Sequence, residues 1–335
     1  MSKSIFFIFI CLIFATNFTF GQSQEIENIV SEGIKFHDKR EYQKAIEIYQ
    51  KALNIDPNSS LVNYEISLSY FSCKDYKNAE IYSKKVIDLE KNHLLSAYVA
   101  YGNALDMQGK TKKAIKAYEK AMKDFDNYLL YYNHAITCLY SGNIDKAYES
   151  ALKAITNNSS HASSHIVLSK IMEKKGSRIK AMLPLYFFLL LEPDSHRAGI
   201  EYNTLRSYID HGVSQTSAKD INVAIPMDND PSFGAAEMMI SLSKASNSLE
   251  ENKGKPDLEL FSENNESLFK ILGELKKDNS GFWWDFYVPL FYEMANSNLT
   301  KPFTYYISLS KGEDVNKWIE ENNVEFEKFS NWVNN

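Results

Sequence analysis

Cysteine is scarce in this sequence of 335 residues, occurring only at positions 11, 73 and 138. Hydrophobic residues make up 44% of the chain and charged residues 24%, close to the average for folded globular domains. A chain of this length can bury a large core without covalent crosslinks. We therefore exclude a fold that depends on disulfides, and the length leaves room for two domains.

Sequence signatures of catalysis and of cofactor binding are also lacking. The chain has no Gly-x-Ser-x-Gly nucleophile elbow, no phosphate-binding loop and no glycine-rich dinucleotide fingerprint. His161 and His165 have the spacing of metal ligands on a helix, but no third ligand stands nearby, so we predict surface histidines at a helix start. We expect no catalytic residue, no cofactor, no metal and no enzymatic activity.

Long apolar runs are missing after the N-terminal segment, so we expect no membrane span in the mature chain. In that segment Lys3 precedes an apolar run from Ile5 to Ala15, and Gly21 ends a less apolar tail. This is the layout of a secretory signal peptide, which we assign to residues 1–21. We expect an exported protein that is periplasmic, bound in the cell envelope or secreted; a retained N-terminal anchor is the alternative.

The sequence also lacks the basic excess that nucleic-acid binding requires. Residues 22–196 hold 23 Lys and Arg against 21 Asp and Glu, whereas residues 197–335 hold 13 against 22. Proteins that bind a phosphate backbone need a basic patch. We therefore expect no nucleic-acid partner.

The sequence does have an internal period of about 34 residues. Alanines recur at intervals of 34, 35, 33 and 34 residues, at Ala45, Ala79, Ala114, Ala147 and Ala181. Twelve positions before them stand the small residues Gly33, Ser67, Gly102, Ala135 and Ser169. A period in this range indicates a repeat array. Small residues at these places indicate pairs of antiparallel helices whose backbones approach closely.

The first repeat carries the full pattern of small residue, anchor alanine, aromatic, alanine and proline, at Gly33, Ala45, Tyr49, Ala52 and Pro57. In this pattern the chain resembles the tetratricopeptide-repeat family. The resemblance implies a right-handed α-solenoid of about five helix hairpins over residues 24–195. We place the repeats at 24–59, 60–94, 95–127, 128–161 and 162–195. Repeats two and four depart from the pattern, with Ser83 and Ala151 where an aromatic residue is expected.

The period ends after Pro193. We predict a capping helix at 196–216, because an end repeat must cover the core of its neighbour. A C-terminal helical domain follows at 217–335, so the fold class is all-α. We expect helices at 233–249, 258–275, 282–295 and 314–333, a short extended piece near 221–225, and either helix or strand at 302–309. The aromatic segment around Trp283 and Trp284 is predicted to be core; a sugar- or peptide-stacking surface is the alternative.

The resemblance also implies which residues of each repeat face the concave groove. Family members that clamp a carboxylate use Lys and Asn at two groove places of the first repeat. Val30 and Ile34 stand at those places, so we predict no carboxylate clamp. The groove places of repeats two and four are apolar and rich in tyrosine. The predicted partner-binding residues are Tyr64, Leu68, Phe71, Asn103, Tyr132, Ile136, Leu139 and Tyr140.

We therefore predict an exported non-enzymatic scaffold that binds a peptide or protein partner, since an apolar groove suits an amphipathic helix or an extended segment. The chain's own N-terminal residues or C-terminal domain are alternative occupants, because large apolar patches are usually covered. The alternative function is an enzyme or carbohydrate-binding protein whose active part is the C-terminal domain. Asp285 and Glu293 beside the aromatic segment support that alternative, with the repeats as a docking arm. The sequence leaves the oligomeric state open.

Overall fold

A computed structural model describes residues 24–90, 92–215, 221–225 and 230–334. The predicted signal peptide at 1–21 lies outside the described residues. The described chain is helical apart from its loops and one two-stranded sheet, and its repeats form an all-α solenoid. The chain divides into two compact units, residues 1–142 and 143–335.

Unit 1 is built from helix hairpins at the predicted repeat positions. Its described helices are α1 (24–38), α2 (Tyr42–Ile55), α3 (Ser60–Ser72), α4 (Tyr76–Leu89), α5 (Leu94–Met107), α6 (Thr111–Ala121) and α7 (Tyr128–Tyr140). From α2 onward each helix packs on the next, and α5 also contacts α3 and α7. Because α3, α5 and α7 are the first helices of successive repeats, they lie side by side as one layer.

The small residues have the role that the period predicted. Ala45 and Ala114 are fully buried, and Ala79 is 2% exposed. A β-carbon added at Gly102 would lie 2.3 Å from the ring of Tyr118, and one at Gly33 would lie equally close to Tyr49. Glycine is required at these two places because the tyrosine ring of the second helix lies directly against the backbone of the first.

A left-handed backbone residue ends the first helix of each repeat, five positions before the anchor alanine. Gly109, Gly142 and Gly176 fill this position with φ between +72° and +82°. The first two repeats lack glycine there, and Arg40 and Lys74 adopt φ of 62° and 67° instead. The turn is therefore a property of the repeat, although a non-glycine residue is strained in this region.

Unit 2 begins with further helix hairpins and continues with elements that do not follow the repeat period. Its described helices are α8 (Ile144–Asn157), α9 (Ala162–Lys174), α10 (Arg178–Leu191), α11 (His196–Asp210), α12 (Gly234–Ser246), α13 (Asp257–Leu275), α14 (Val288–Asn296), α15 (Thr300–Tyr306), α16 (Glu313–Glu321) and α17 (Asn323–Asn334). A π-helix, Trp283–Tyr287, leads into α14. Strands β1 (Val213–Gln215) and β2 (Ile221–Val223) pair antiparallel and pack on α12. None of the described helices has the length and apolar character needed to cross a membrane.

Some predicted elements of unit 2 differ from the observed ones. The capping helix ends at Asp210, and β1 occupies the end of the range 196–216. The helix predicted at 314–333 is two helices separated at Asn322. The segment 302–309, predicted as either helix or strand, is helical up to Tyr306, where α15 ends. The compact units divide at 142/143, whereas the predicted domains divide near 216; those predicted boundaries stay a prediction.

Candidate functional site

A pocket of about 140 Å³ opens on unit 1 between α3, α5 and α7. Its lining residues are Tyr64, Leu68, Phe71, Leu95, Ser96, Val99, Ala100, Asn103 and Leu129. Four of the eight predicted groove residues are among them: Tyr64, Leu68, Phe71 and Asn103. The structure therefore brings these four side chains together on one surface.

Helical spacing explains how α3 contributes to this pocket. Tyr64, Leu68 and Phe71 are separated by four and three residues, so their side chains share one face of the helix. All three are half-buried. Burial raises the pKa of the Tyr64 phenol, which keeps its proton and its capacity to donate a hydrogen bond. The face is apolar with one polar group at its edge, as in ligand-binding clefts.

Asn103 supplies a second polar group to the pocket. Its Oδ1 accepts a hydrogen bond of 2.6 Å from the hydroxyl of Tyr118. This bond orients the amide, and among the described residues no acceptor engages its Nδ2. The amide nitrogen can therefore donate to a carbonyl oxygen of a bound chain.

The predicted groove residues of α7 are divided between surface and interior. Leu129, which lines the pocket, is followed at helical spacing by Tyr132, Ile136 and Tyr140 on the same face. Tyr132 and Ile136 are half-buried, whereas Tyr140 is 78% exposed. Leu139 is only 8% exposed, because it lies one position off this face and turns toward the interior. A ligand on this face would meet Tyr140 but not Leu139, and the assignment of the whole set stays a prediction.

Leu95 and Ala100 line the pocket although the sequence did not single them out. The family pattern designates fixed places in each repeat, and these two residues lie next to designated places on α5. Their role depends on the rotation of α5 against α3. The sequence signal that could have identified these two residues is an apolar side chain directly beside each designated place.

The two histidines of the pair in unit 2 differ: His161 is half-buried at the N-cap of α9, whereas His165 does not lie on the surface as predicted. His165 is fully buried, and its Nε2 donates to the carbonyl oxygen of Ser159 at 2.8 Å. Its Nδ1 lies 2.7 Å from the hydroxyl of Tyr287, and its ring stacks on Phe187 at 4.5 Å. Burial lowers the pKa of His165 to about 4. The surface prediction is wrong for His165, because its main partner lies 122 positions away in sequence.

Metal binding by this pair has no structural support. Both nitrogens of His165 are engaged in hydrogen bonds, so neither has a free lone pair for a metal ion. Within the described ranges, no group of three or more His, Cys, Asp or Glu is placed to hold a metal.

The aromatic segment of the C-terminal region is core, as predicted. Trp283, Trp284 and Tyr287 are all at least 94% buried. Trp284 stacks on Phe233 with ring centres 4.5 Å apart, and the indole nitrogen of Trp283 donates to the hydroxyl of Tyr148 at 2.9 Å. These rings are therefore not available to stack on a sugar.

The acids named for the alternative function lie on the surface. Asp285 pairs with Lys276 at 2.9 Å, and Glu293 is exposed. A separate cleft of about 440 Å³ in unit 2 places Tyr305 and Trp318 near the carboxylates of Asp314 and Glu321. Among the described parts of the C-terminal region, this cleft suits the alternative function better than the aromatic segment does.

Sequence comparison identifies the repeats. The family described as "Tetratricopeptide repeat" matches residues 36–59, 62–93 and 95–123. The chain is 27% identical over 183 residues to the N-terminal acetyltransferase A complex auxiliary subunit NAA15 of Arabidopsis thaliana, covering 49% of this chain and 20% of that protein. It is 30% identical over 119 residues to the TPR repeat-containing protein MJ1428 of Methanocaldococcus jannaschii, covering 35% and 21%. The chain thus spans about a fifth of the length of these relatives.

Solved structures with a similar fold cover about half of the chain. Pseudomonas aeruginosa pilF has a TM-score of 0.49 at 17% identity, covering 56% of this chain and 90% of its own. TTC0263, a thermophilic TPR protein of Thermus thermophilus, has a TM-score of 0.47 at 15% identity, covering 54% and 98%.

Proposed function

The chain is a tetratricopeptide-repeat protein, and from this premise we propose that it binds a peptide or protein partner on the layer formed by α3, α5 and α7. Repeats of this family bind protein or peptide partners, so a protein-interaction scaffold is the function at the coarser level. The observation that carries the finer proposal is the pocket between these helices, where Leu68, Phe71 and Val99 surround a space with Asn103 at its edge. We call the surface formed by the groove places of α1, α3, α5 and α7 the groove; it includes the predicted partner-binding residues.

The chemistry of the groove defines the kind of partner. The pocket walls are mainly apolar, so an apolar side chain of the partner would lose its contact with water there. Asn103 can donate to a main-chain carbonyl beside that side chain. Neither Val30 nor Ile34 can bind a carboxylate, so an internal segment of the partner fits the groove better than a free C-terminus. An amphipathic helix or an extended segment with apolar anchors has these properties.

We propose further that the protein is exported, which the N-terminal sequence supports. Lys3, the apolar run and Gly21 have the order that signal peptidases recognise. The mass of the protein isolated from cells tests this proposal. Removal of residues 1–21 would support export, and a retained leader in all of the protein would contradict it.

Binding to the full chain tests the groove directly. The probe is a fluorescein-labelled peptide of about 12 residues with Leu and Phe at helical spacing and Gln elsewhere, followed by fluorescence anisotropy. Leu68→Asp places a charge on the pocket wall, and we expect affinity to fall at least about tenfold, because an unpaired charge is costly to desolvate. Ile81→Asp on α4, where Ile81 is 52% exposed, is the matched control and should bind as the parent chain does.

The same titration separates a partner from a self-filled groove. If another segment of the chain occupied the pocket, the parent chain would bind the peptide no better than the Leu68→Asp variant. Equal affinities of these two proteins would therefore contradict the proposal. Thermal unfolding of both variants, each expected to remain folded, ensures that lost binding reports on the groove.

A further inference from the structure

Two equivalent tyrosines of unit 1 differ in how their hydroxyls are satisfied. Tyr118 of the third repeat donates to Asn103 at 2.6 Å. Tyr49 stands 69 positions earlier at the same place of the first repeat and packs on Gly33 as Tyr118 packs on Gly102. Tyr49 is fully buried, yet among the described residues its hydroxyl has no hydrogen-bond partner. The difference arises because Ile34 stands at the place that Asn103 fills in the third repeat.

The surrounding contacts confirm that the two places are equivalent. In the third repeat Asp106 accepts a hydrogen bond of 3.0 Å from Thr137 of the next repeat. In the first repeat His37 lies at the corresponding place, with its Nδ1 2.8 Å from the hydroxyl of Ser69. The two junctions thus share their architecture, and the unsatisfied Tyr49 hydroxyl is a feature of the first one. A buried hydroxyl without a partner costs free energy, which a suitable ligand group can recover.

Two carboxylates without a counter-ion lie near that hydroxyl. Burial, and then the charges of Glu65 and Asp38, raise the pKa of Tyr49, so both acids act on its phenol oxygen. Burial and the charge of Asp38 also raise the pKa of Glu65. Glu65 is half-buried and Asp38 is exposed at the end of α1. In the described part of the chain, neither acid forms an ion pair with Lys, Arg or His.

The charged residues at the groove places of the first four repeats are all acidic. The family pattern gives twenty groove places in the first four repeats, and none of them holds Lys or Arg. Three hold acids: Glu27, Asp38 and Asp106. Most lysines of this unit lie instead on the second helices of the hairpins, such as Lys112, Lys113 and Lys116 of α6, although Lys35 lies on α1 outside the groove places. A partner that carries positive charge is therefore complementary to the groove, and an acidic partner is not.

We propose that the first-repeat end of the groove, at Asp38, Glu65 and the Tyr49 hydroxyl, is a subsite for a cationic side chain, so that the partner is a peptide segment with Lys or Arg beside its apolar anchors. This inference rests on the proposed function of the groove. The apolar anchor occupies the pocket lined by Leu68 and Phe71, and the cationic group lies toward α1. The arrangement also gives the bound segment a direction, because the opposite end of the groove presents the exposed ring of Tyr140.

Three peptides with the same Leu and Phe positions test this inference on the full chain. Their remaining positions hold Lys, Gln or Glu, and affinity is measured by anisotropy. We expect the order Lys, Gln, Glu from tightest to weakest, with the Lys advantage decreasing as salt is added. In the double variant Asp38→Asn/Glu65→Gln the Lys peptide should bind roughly three- to tenfold more weakly, while the Gln peptide is unchanged.

A variant with the same change in net charge is the control. Glu47→Gln/Asp88→Asn removes two exposed acids from α2 and α4 and should keep the preference for Lys. If it lost the preference equally, attraction by net charge would explain the result and the subsite would be contradicted. Equal binding of the Lys and Gln peptides would also contradict the subsite, yet it would leave the proposed groove standing provided Leu68→Asp still weakened both. If no peptide bound in a manner sensitive to Leu68, the proposed function itself would fail.

Discussion

At the scale of single residues, His165 shows how the interior of unit 2 fixes one protonation state. The Ser159 carbonyl can only accept, so Nε2 carries a proton, and Nδ1 of the neutral ring accepts from Tyr287. A second proton would take the place of the one that Tyr287 donates and would put a charge among aromatic rings. The pKa of His165 accordingly falls from 6.5 to about 4.

We predict that His165 makes the stability of the protein sensitive to mild acid. Its folded-state pKa lies below the unfolded value, so its contribution is complete above pH 6.5 and is lost as the pH falls toward 4. Between pH 7.5 and pH 5 this one group should lower the free energy of unfolding by about 2 kcal/mol. Urea unfolding at the two pH values measures the effect.

The contribution of His165 is isolated by comparing variants. His165→Gln should lose stability at neutral pH but show a difference between pH 7.5 and pH 5 that is smaller by about 2 kcal/mol. His196→Gln, which changes an exposed histidine, should keep the parent difference. An unchanged pH dependence in His165→Gln would show that the ring is not held neutral.

Several residues of the candidate site could be predicted from sequence because the repeat fixes a register. That register alone is enough to put Leu68 and Asn103 on neighbouring helices of one layer. It did not identify Glu65 or the unsatisfied Tyr49 hydroxyl, because these depend on how α1 and α3 are rotated against each other. The repeat register also could not predict the burial of His165, since the ring of Tyr287 comes from a part of the chain without repeats.

At the scale of helices, a buried ion pair joins α10 to α12 in unit 2. Arg178 donates through Nε to a carboxylate oxygen of Glu237 at 2.7 Å, and both side chains are at most 5% exposed. Arg178 also donates to the hydroxyl of Ser241 and to the carbonyls of Glu237 and His211. The other carboxylate oxygen of Glu237 accepts from the backbone nitrogen of Ile179. Every strong polar group of the pair is therefore engaged.

We predict that removing one member of this pair is far more costly than removing both. Glu237→Leu leaves a buried guanidinium without its counter-ion and should lower the free energy of unfolding by about 3–5 kcal/mol. The double variant Arg178→Met/Glu237→Leu should lose clearly less, because no uncompensated charge remains. Urea unfolding of the parent chain, of the single variants Glu237→Leu and Arg178→Met and of the double variant measures the difference. A double variant that is as unstable as the sum of the two single variants would contradict this account.

The prediction of elements succeeded where a period was present and weakened where it ended. Helices α1 to α10 follow the predicted repeats because small residues and turn positions recur at fixed intervals. The segment 302–309 was ambiguous because a short apolar run has no period that separates helix from strand. The break at Asn322 was missed because the apolar pattern continues across it.

At the scale of the whole chain, the pair of Arg178 and Glu237 affects how function is tested. A chain cut before residue 217 would lose Glu237, Ser241 and Asp230, which pairs with Lys180 at 2.7 Å. The truncated protein would expose buried charge and apolar surface in unit 2. Aggregation or nonspecific binding of such a fragment would therefore not report on the groove. Experiments on the groove need the full chain with point changes in unit 1.

Amide hydrogen exchange of the full chain, with and without the Lys-bearing apolar peptide, tests the central claim most directly. Bound peptide stabilises the segments that it contacts, and at about 100 times the Kd the gain reaches about 2.7 kcal/mol. We predict slower exchange in α3, α5 and α7, with the helices that line the Trp318 cleft unchanged. Slower exchange confined to residues 257–321 would contradict the account and favour a ligand site in the C-terminal region.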